Sequence, residues 1–200
     1  YDVARSNGDI SLHRPFYPHA AGGTERQHLV DGLGLTSVDD LYRRCEVAPG
    51  RRACPLFWTL GGKEVGKGAL TGWREIVIPA RAKGVKMWPF DGMLPELLDG
   101  RQAVIVETYP GDVYSYVGAT LPATTDGQGK RVQASRAESA RDILAWTRRV
   151  GVAITPGLEA ELRVGFGTDD DGEDRFDAII GALGIMAVLL GLRAERLPSD

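Results

Sequence analysis

Three acidic residues carry the chemistry that this chain can offer. Glu107 closes Ala103-Val104-Ile105-Val106, an apolar run with the length and Val/Ile content of a buried strand. Asp174 and Asp177 stand before a long apolar stretch, Ala178 to Leu192, and residues three apart on a helix share a face. Both aspartates can therefore point at one spot. Asp177 lies inside that helix beside Phe176 and Ile180, where a carboxylate is costly to desolvate unless something binds it. If Glu107 reaches the same spot, a hard divalent cation would hold the three carboxylates together. Phosphodiester hydrolysis often uses such a cluster, because the metals neutralise the scissile phosphate and activate a water. Glu107, Asp174 and Asp177 are thus the candidate catalytic and metal-ligating residues, with Mg²⁺ or Mn²⁺ as the expected cofactor.

Each has a simpler alternative. Glu107 can be one half of a salt bridge to an arginine. The run Asp169-Asp170-Asp171-Gly172-Glu173-Asp174 can offset a helix macrodipole and cap free N–H groups. It is not an EF-hand loop: aligning Gly172 with the turn glycine puts Gly167 and Ala178 at the two terminal ligand positions.

Phosphate contacts would come from basic residues. Lys130 and Arg131 follow a Gly/Thr-rich loop, a natural place for such a contact, and Arg136, Arg141, Arg148 and Arg149 complete the basic set. A solvated helix face explains the last three. Lys63 and Lys67 belong to a second glycine loop, Gly61-x-x-x-x-Gly66-Lys67, whose backbone amides and lysines suit nucleic-acid phosphates. That loop nearly matches a P-loop, which leaves a phosphotransferase as an alternative. The motif requires Ser or Thr next for magnesium, and the chain has Gly68. His13, His19 and His28 match no zinc spacing and read as surface residues.

The elements that must position these groups follow from pattern and breakers. Helices are expected from Thr24 to Leu33, Val38 to Glu46, Ala69 to Ile78 (stopped by Pro79), Leu94 to Leu98 and Pro110 to Val117. Three more follow over Ser135–Val150, Thr155–Val164 and Glu173–Leu192. Strands are expected over Val85–Phe90 and Ala103–Glu107; a strand-helix-strand order implies a parallel pair with a right-handed crossover. Two buried parallel strands need neighbours and cover on both faces. The pattern fits the later portion of a helix-rich α/β domain whose first strands lie upstream, and the start at Tyr1 favours a fragment.

Bulk properties bound the rest. Two hundred residues make one domain or most of one. A net charge of -3 argues against a broadly basic surface without excluding a local basic groove. Cys45 and Cys54 are too few for a disulfide framework, so a cytoplasmic location is expected. No signal peptide is visible, and Ala178 to Leu192 is too short to span a bilayer.

Five stretches together look familiar: Arg14-Pro15-Phe16-Tyr17-Pro18, Leu56-Phe57-Trp58-Thr59-Leu60-Gly61-Gly62-Lys63, Trp88-Pro89-Phe90-Asp91-Gly92, Val106-Glu107-Thr108-Tyr109-Pro110 and Asp174-Arg175-Phe176-Asp177-Ala178. The chain resembles, over nearly its whole length, an uncharacterised bacterial family described as predicted nucleases of the RNase H-like fold. The resemblance implies two metal ions between acidic residues. Glu107 is similar to the acid of the central strand, and Asp174 with Asp177 to the pair on a late helix. The first-strand aspartate has no counterpart here. The expectation is a metal-dependent nuclease, N-terminally incomplete and possessing one RNase H-like domain over residues 1–200. The alternative is a non-catalytic module that binds nucleic acid or a protein.

Overall fold

The computed structural model describes residues 2–19, 23–42, 54–60, 65–100, 102–121, 129–169 and 171–195. It is helix-rich and mixed α/β, with helices α1 (Gln27–Leu33), α2 (Val65–Gly72), α3 (Ile78–Ala82), α4 (Leu94–Asp99), α5 (Gln133–Val150), α6 (Pro156–Arg163) and α7 (Gly172–Leu189). Strands β1 (Lys86–Trp88) and β2 (Val104–Val106) pair in parallel, with Met87 opposite Ile105 and Trp88 opposite Val106. The parallel strand-helix-strand unit is as expected, but both strands are shorter than the apolar runs that contain them. They are half-buried, not buried. The chain divides into two compact units, residues 1–84 and 85–200.

In the first unit, Ala4, Ile10, Tyr17, Leu29, Val30 and Leu41 form the core, and Phe57 and Trp58 pack against it. Two of the familiar stretches meet here. The Tyr17 N–H donates to the Phe57 carbonyl, and the buried Thr59 hydroxyl donates to the Tyr17 carbonyl at 2.8 Å. Phe16 sits edge-on to Phe57, and Tyr17 lies 4.7 Å from Trp58. His28 is not a free surface residue: its Nδ1 is 2.7 Å from the Tyr17 hydroxyl.

Three expectations for this unit need correction. Thr24 does not cap α1, which begins at Gln27. Of the helix expected from Val38, a 3₁₀ turn over Val38–Leu41 forms, fixed by the Ser37–Asp40 capping box, and Tyr42 is already extended; residues 43–46, with Cys45, lie outside the described residues. Pro79 does not stop its helix. A π-turn over Trp73–Val77 joins α2 to α3, and the wider turn accommodates a residue with no N–H, placing Pro79 in the first turn of α3. Lys63 and the start of the glycine loop lie outside the described residues. Residues 54–60 form no strand, so the P-loop reading lacks the strand that must lead into it.

In the second unit, α5, α6 and α7 enclose a core of Val113, Val117, Ile143, Leu144, Trp146, Leu162, Phe166, Phe176, Ile180 and Leu183. Thr155 caps α6 through the Leu158 N–H, and Pro156 stands at its first position, as the sequence predicts. The expected helix after Pro110 is instead a 3₁₀ turn (Pro110–Asp112) followed by irregular turns. No helix among the described residues is long and apolar enough to cross a membrane.

Candidate functional site

Helix α7 presents two stripes. Phe176, Ile180, Leu183 and Ala187 are buried and spaced to face the core. The adjacent stripe is Asp177, Gly181 and Gly184, and the segment after β2 lies along it. A Cβ on Gly181 would come within 2.6 Å of the Thr108 side chain, and one on Gly184 within 2.6 Å of Val113. The glycines let this segment approach closely enough for Tyr114 to reach Asp177. The Tyr114 hydroxyl donates to Asp177 Oδ1 at 2.5 Å, while its ring stacks on Phe176.

The other oxygen of Asp177 accepts from the ammonium of Lys130. Lys130 Nζ also lies 2.9 Å from Glu173 Oε1, and Arg131 Nε is 3.6 Å from Glu173 Oε2. Glu173 and Asp177, four apart on α7, thus share one lysine. Partial burial pulls the Lys130 pKa down, but hydrogen bonds and attraction from Asp177 and Glu173 outweigh it and leave the pKa above the ordinary lysine value. The ammonium is therefore firmly charged at neutral pH.

Lys130 and Arg131 sit on a 3₁₀ turn (Gly129–Arg131) just before α5. Gly165, Phe166 and Gly167, between α6 and α7, all have positive φ. Glycine is needed at 165, since a Cβ there would meet the Gln133 carbonyl at 2.5 Å. Phe166 accepts a left-handed conformation, at a cost of about 1–2 kcal/mol, and its side chain is buried against Phe176.

The predicted site residues separate. Asp177 is half-buried at the centre of the cluster. Asp174 is exposed, and its place beside Asp177 is taken by Glu173, which sequence reasoning assigned to helix capping. Glu173 at i,i+4 and Asp174 at i,i+3 both share a helix face with Asp177, so the spacing does not choose between them. Tyr114 had no signal of its own; the Gly181/Gly184 spacing below Asp177 was the available hint. Glu107 stands one residue past β2, next to Thr108, which packs on α7 one turn below Asp177. Lys130 and Arg131 are engaged by acids of α7. Asp169 pairs with Arg175 and does not cap α7, whose N-cap residue, Asp171, makes no side-chain cap bond. Lys67 lies in the first turn of α2, in the other unit.

No group of three or more His, Cys, Asp and Glu side chains among the described residues is arranged to hold a metal. The donor chemistry at Asp177 nonetheless fits a hard cation: two carboxylates converge on one positive charge, here an ammonium, and Mg²⁺ is commonly held by one or two carboxylates plus substrate oxygens. No protein family, curated protein or solved structure gave a match to this chain.

Proposed function

We propose that the second unit carries the acidic centre of a metal-dependent nuclease of RNase H-like fold, with Asp177 as its central carboxylate. The observation that carries this reading is the convergence of Glu173 and Asp177 on the Lys130 ammonium, a cation held where a divalent ion would be stabilised. Asp177 and Glu107 are the proposed ligands, with Asp174 or Glu173 completing the set on α7. A bound Mg²⁺ or Mn²⁺ would neutralise the phosphate and activate a water. Tyr114 fixes one Asp177 oxygen and so orients the other. Lys130, released from the carboxylates, would hold a phosphate together with Arg131.

The test is cleavage of a labelled oligonucleotide by the full protein with Mn²⁺, compared with Asp177→Asn. Cleavage should fall at least about 100-fold, since removing one central electrostatic group commonly costs that much. Unchanged cleavage would exclude Asp177 from the chemistry. The second reading, a module that binds nucleic acid without cutting it, draws support from one observation: both Asp177 oxygens already have donors from the chain itself. Binding that persists in EDTA, with no cleavage in Mn²⁺, would favour it.

A further inference from the structure

We propose that Arg136 is the positioning residue of the Lys130–Glu173–Asp177 cluster, pinning the Lys130 backbone against the first turn of α7. Its charge and its place near the start of α5 suggest a solvent-facing or phosphate-binding arginine. Instead it is 2% exposed, and each of its hydrogen bonds goes to a backbone carbonyl. Nη1 donates to Lys130 O at 2.7 Å and to Arg131 O at 3.1 Å. Nε donates to Gly165 O and Nη2 to Gly167 O, both at 2.8 Å. Nη2 also packs so closely on Gly172 that a Cβ there would lie 2.6 Å away.

One planar guanidinium thus joins the turn bearing Lys130, the loop before α7 and the residue preceding Glu173. Its rigid fork of donors suits this task, whereas lysine offers a single point charge. The side chain of Lys130 is long and rotatable, so its ammonium is localised only if its backbone is fixed. Arg136 fixes that backbone at the carbonyl. The left-handed run at 165–167 presents two further carbonyls to the same group. Four of the five guanidinium N–H donors of Arg136 go to backbone carbonyls and the side chain is buried, which separates it from Lys130 and Arg131.

The functional part of this proposal rests on reading the cluster as the active centre; the positioning part does not. In ¹⁵N-labelled full-length protein, the Lys130 ammonium should give a resolved side-chain signal, assigned by its loss in Lys130→Ala. That signal should broaden or vanish in Arg136→Lys and in Gly172→Ala, while the backbone amide spectrum stays dispersed. Gly172→Ala displaces the guanidinium without removing it, and decides the matter if Arg136→Lys does not fold. A Lys130 signal absent from the wild type, or unchanged in the folded variants, overturns the proposal. For function, affinity for a fluorescein-labelled single-stranded oligonucleotide is measured in a double-mutant cycle. Arg136→Lys should weaken binding by a factor similar to Lys130→Ala, with no further loss in the double variant. Additive losses would overturn action through Lys130. If Lys130→Ala itself leaves binding unchanged, the nuclease reading of the site fails, and the ammonium signal still judges the positioning.

Discussion

Two tyrosines, one in each compact unit, anchor polar networks of opposite character. Tyr17 is fully buried, and its hydroxyl meets a backbone carbonyl and a ring nitrogen: the Gly23 carbonyl at 2.8 Å and His28 Nδ1 at 2.7 Å. Tyr114 is half-buried, and its hydroxyl meets an ionised carboxylate that also binds an ammonium. The first network joins the Tyr17 hydroxyl to the Gly23 carbonyl, the His28 ring and the Glu25 N–H, beside the Trp58 ring. The second ends at a partly exposed acid paired with a partly exposed ammonium. A network built on backbone groups and a ring nitrogen mainly fixes structure, whereas an ion pair at the surface can respond to ligands, and this difference separates the two units chemically.

The comparison can be broken at several levels. The largest effect is expected from Phe176→Ala, which removes the ring packed between Tyr114 and Phe166. It should destabilise the second unit by about 3–5 kcal/mol in denaturant unfolding. A loss below about 1 kcal/mol would show that this core does not support the acidic cluster. In the first unit, Gly66→Ala would force a Cβ to 2.5 Å from the Trp58 carbonyl oxygen. An overpacking cost of about 1–3 kcal/mol is expected in the same assay. Stability like the wild type's would mean that the backbone there yields freely.

The paired substitutions Tyr17→Phe and Tyr114→Phe sharpen the contrast. Each should cost about 1–2 kcal/mol, because each leaves a polar partner unsatisfied. Only Tyr114→Phe should also alter Mn²⁺-dependent cleavage or oligonucleotide affinity. An equal functional effect of Tyr17→Phe would erase the distinction drawn between the units.

The smallest effects are those of pH, and they should differ in direction. In the first unit, Asp2, Asp9 and Asp40 have pKa values held below the usual carboxylate range. The leading causes are hydrogen bonds from the Val3 N–H, the Arg5 N–H and the Thr36 hydroxyl, respectively. A depressed carboxylate contributes stability at neutral pH that is lost as pH falls through the carboxylate range. In the second unit, the raised Lys130 pKa contributes stability that is present at neutral pH and lost as pH climbs through and past the lysine range. Residue-resolved hydrogen exchange should show the first unit loosening earlier in acid and the second in alkali. The reverse order would contradict these assignments.

Much of the second unit was legible in the sequence. The Val/Ile run before Glu107, the Thr155-Pro156 start and the long apolar α7 each carry a local signal, and all three elements form. Misreadings arose where a local breaker met a tertiary solution. Pro79 reads as a stop, but a π-turn absorbs it; Pro110 reads as a helix start, but a 3₁₀ turn forms and the turns beyond it pack against Gly184 of α7. Asp177 was legible as an acid in an apolar helix. Its partners were not, because Tyr114 and Lys130 lie 63 and 47 residues away along the chain.

The sequence by itself determined which side chains are available and which helical faces they share, because a 3.6-residue period is a local property. Tertiary structure alone decided that Glu173, not Asp174, stands with Asp177 on Lys130, and that Arg136 turns inward to carbonyls instead of outward to solvent. Those choices depend on how a turn, a loop and a helix end meet in space. Long-range packing fixes such distances, and no local pattern encodes them.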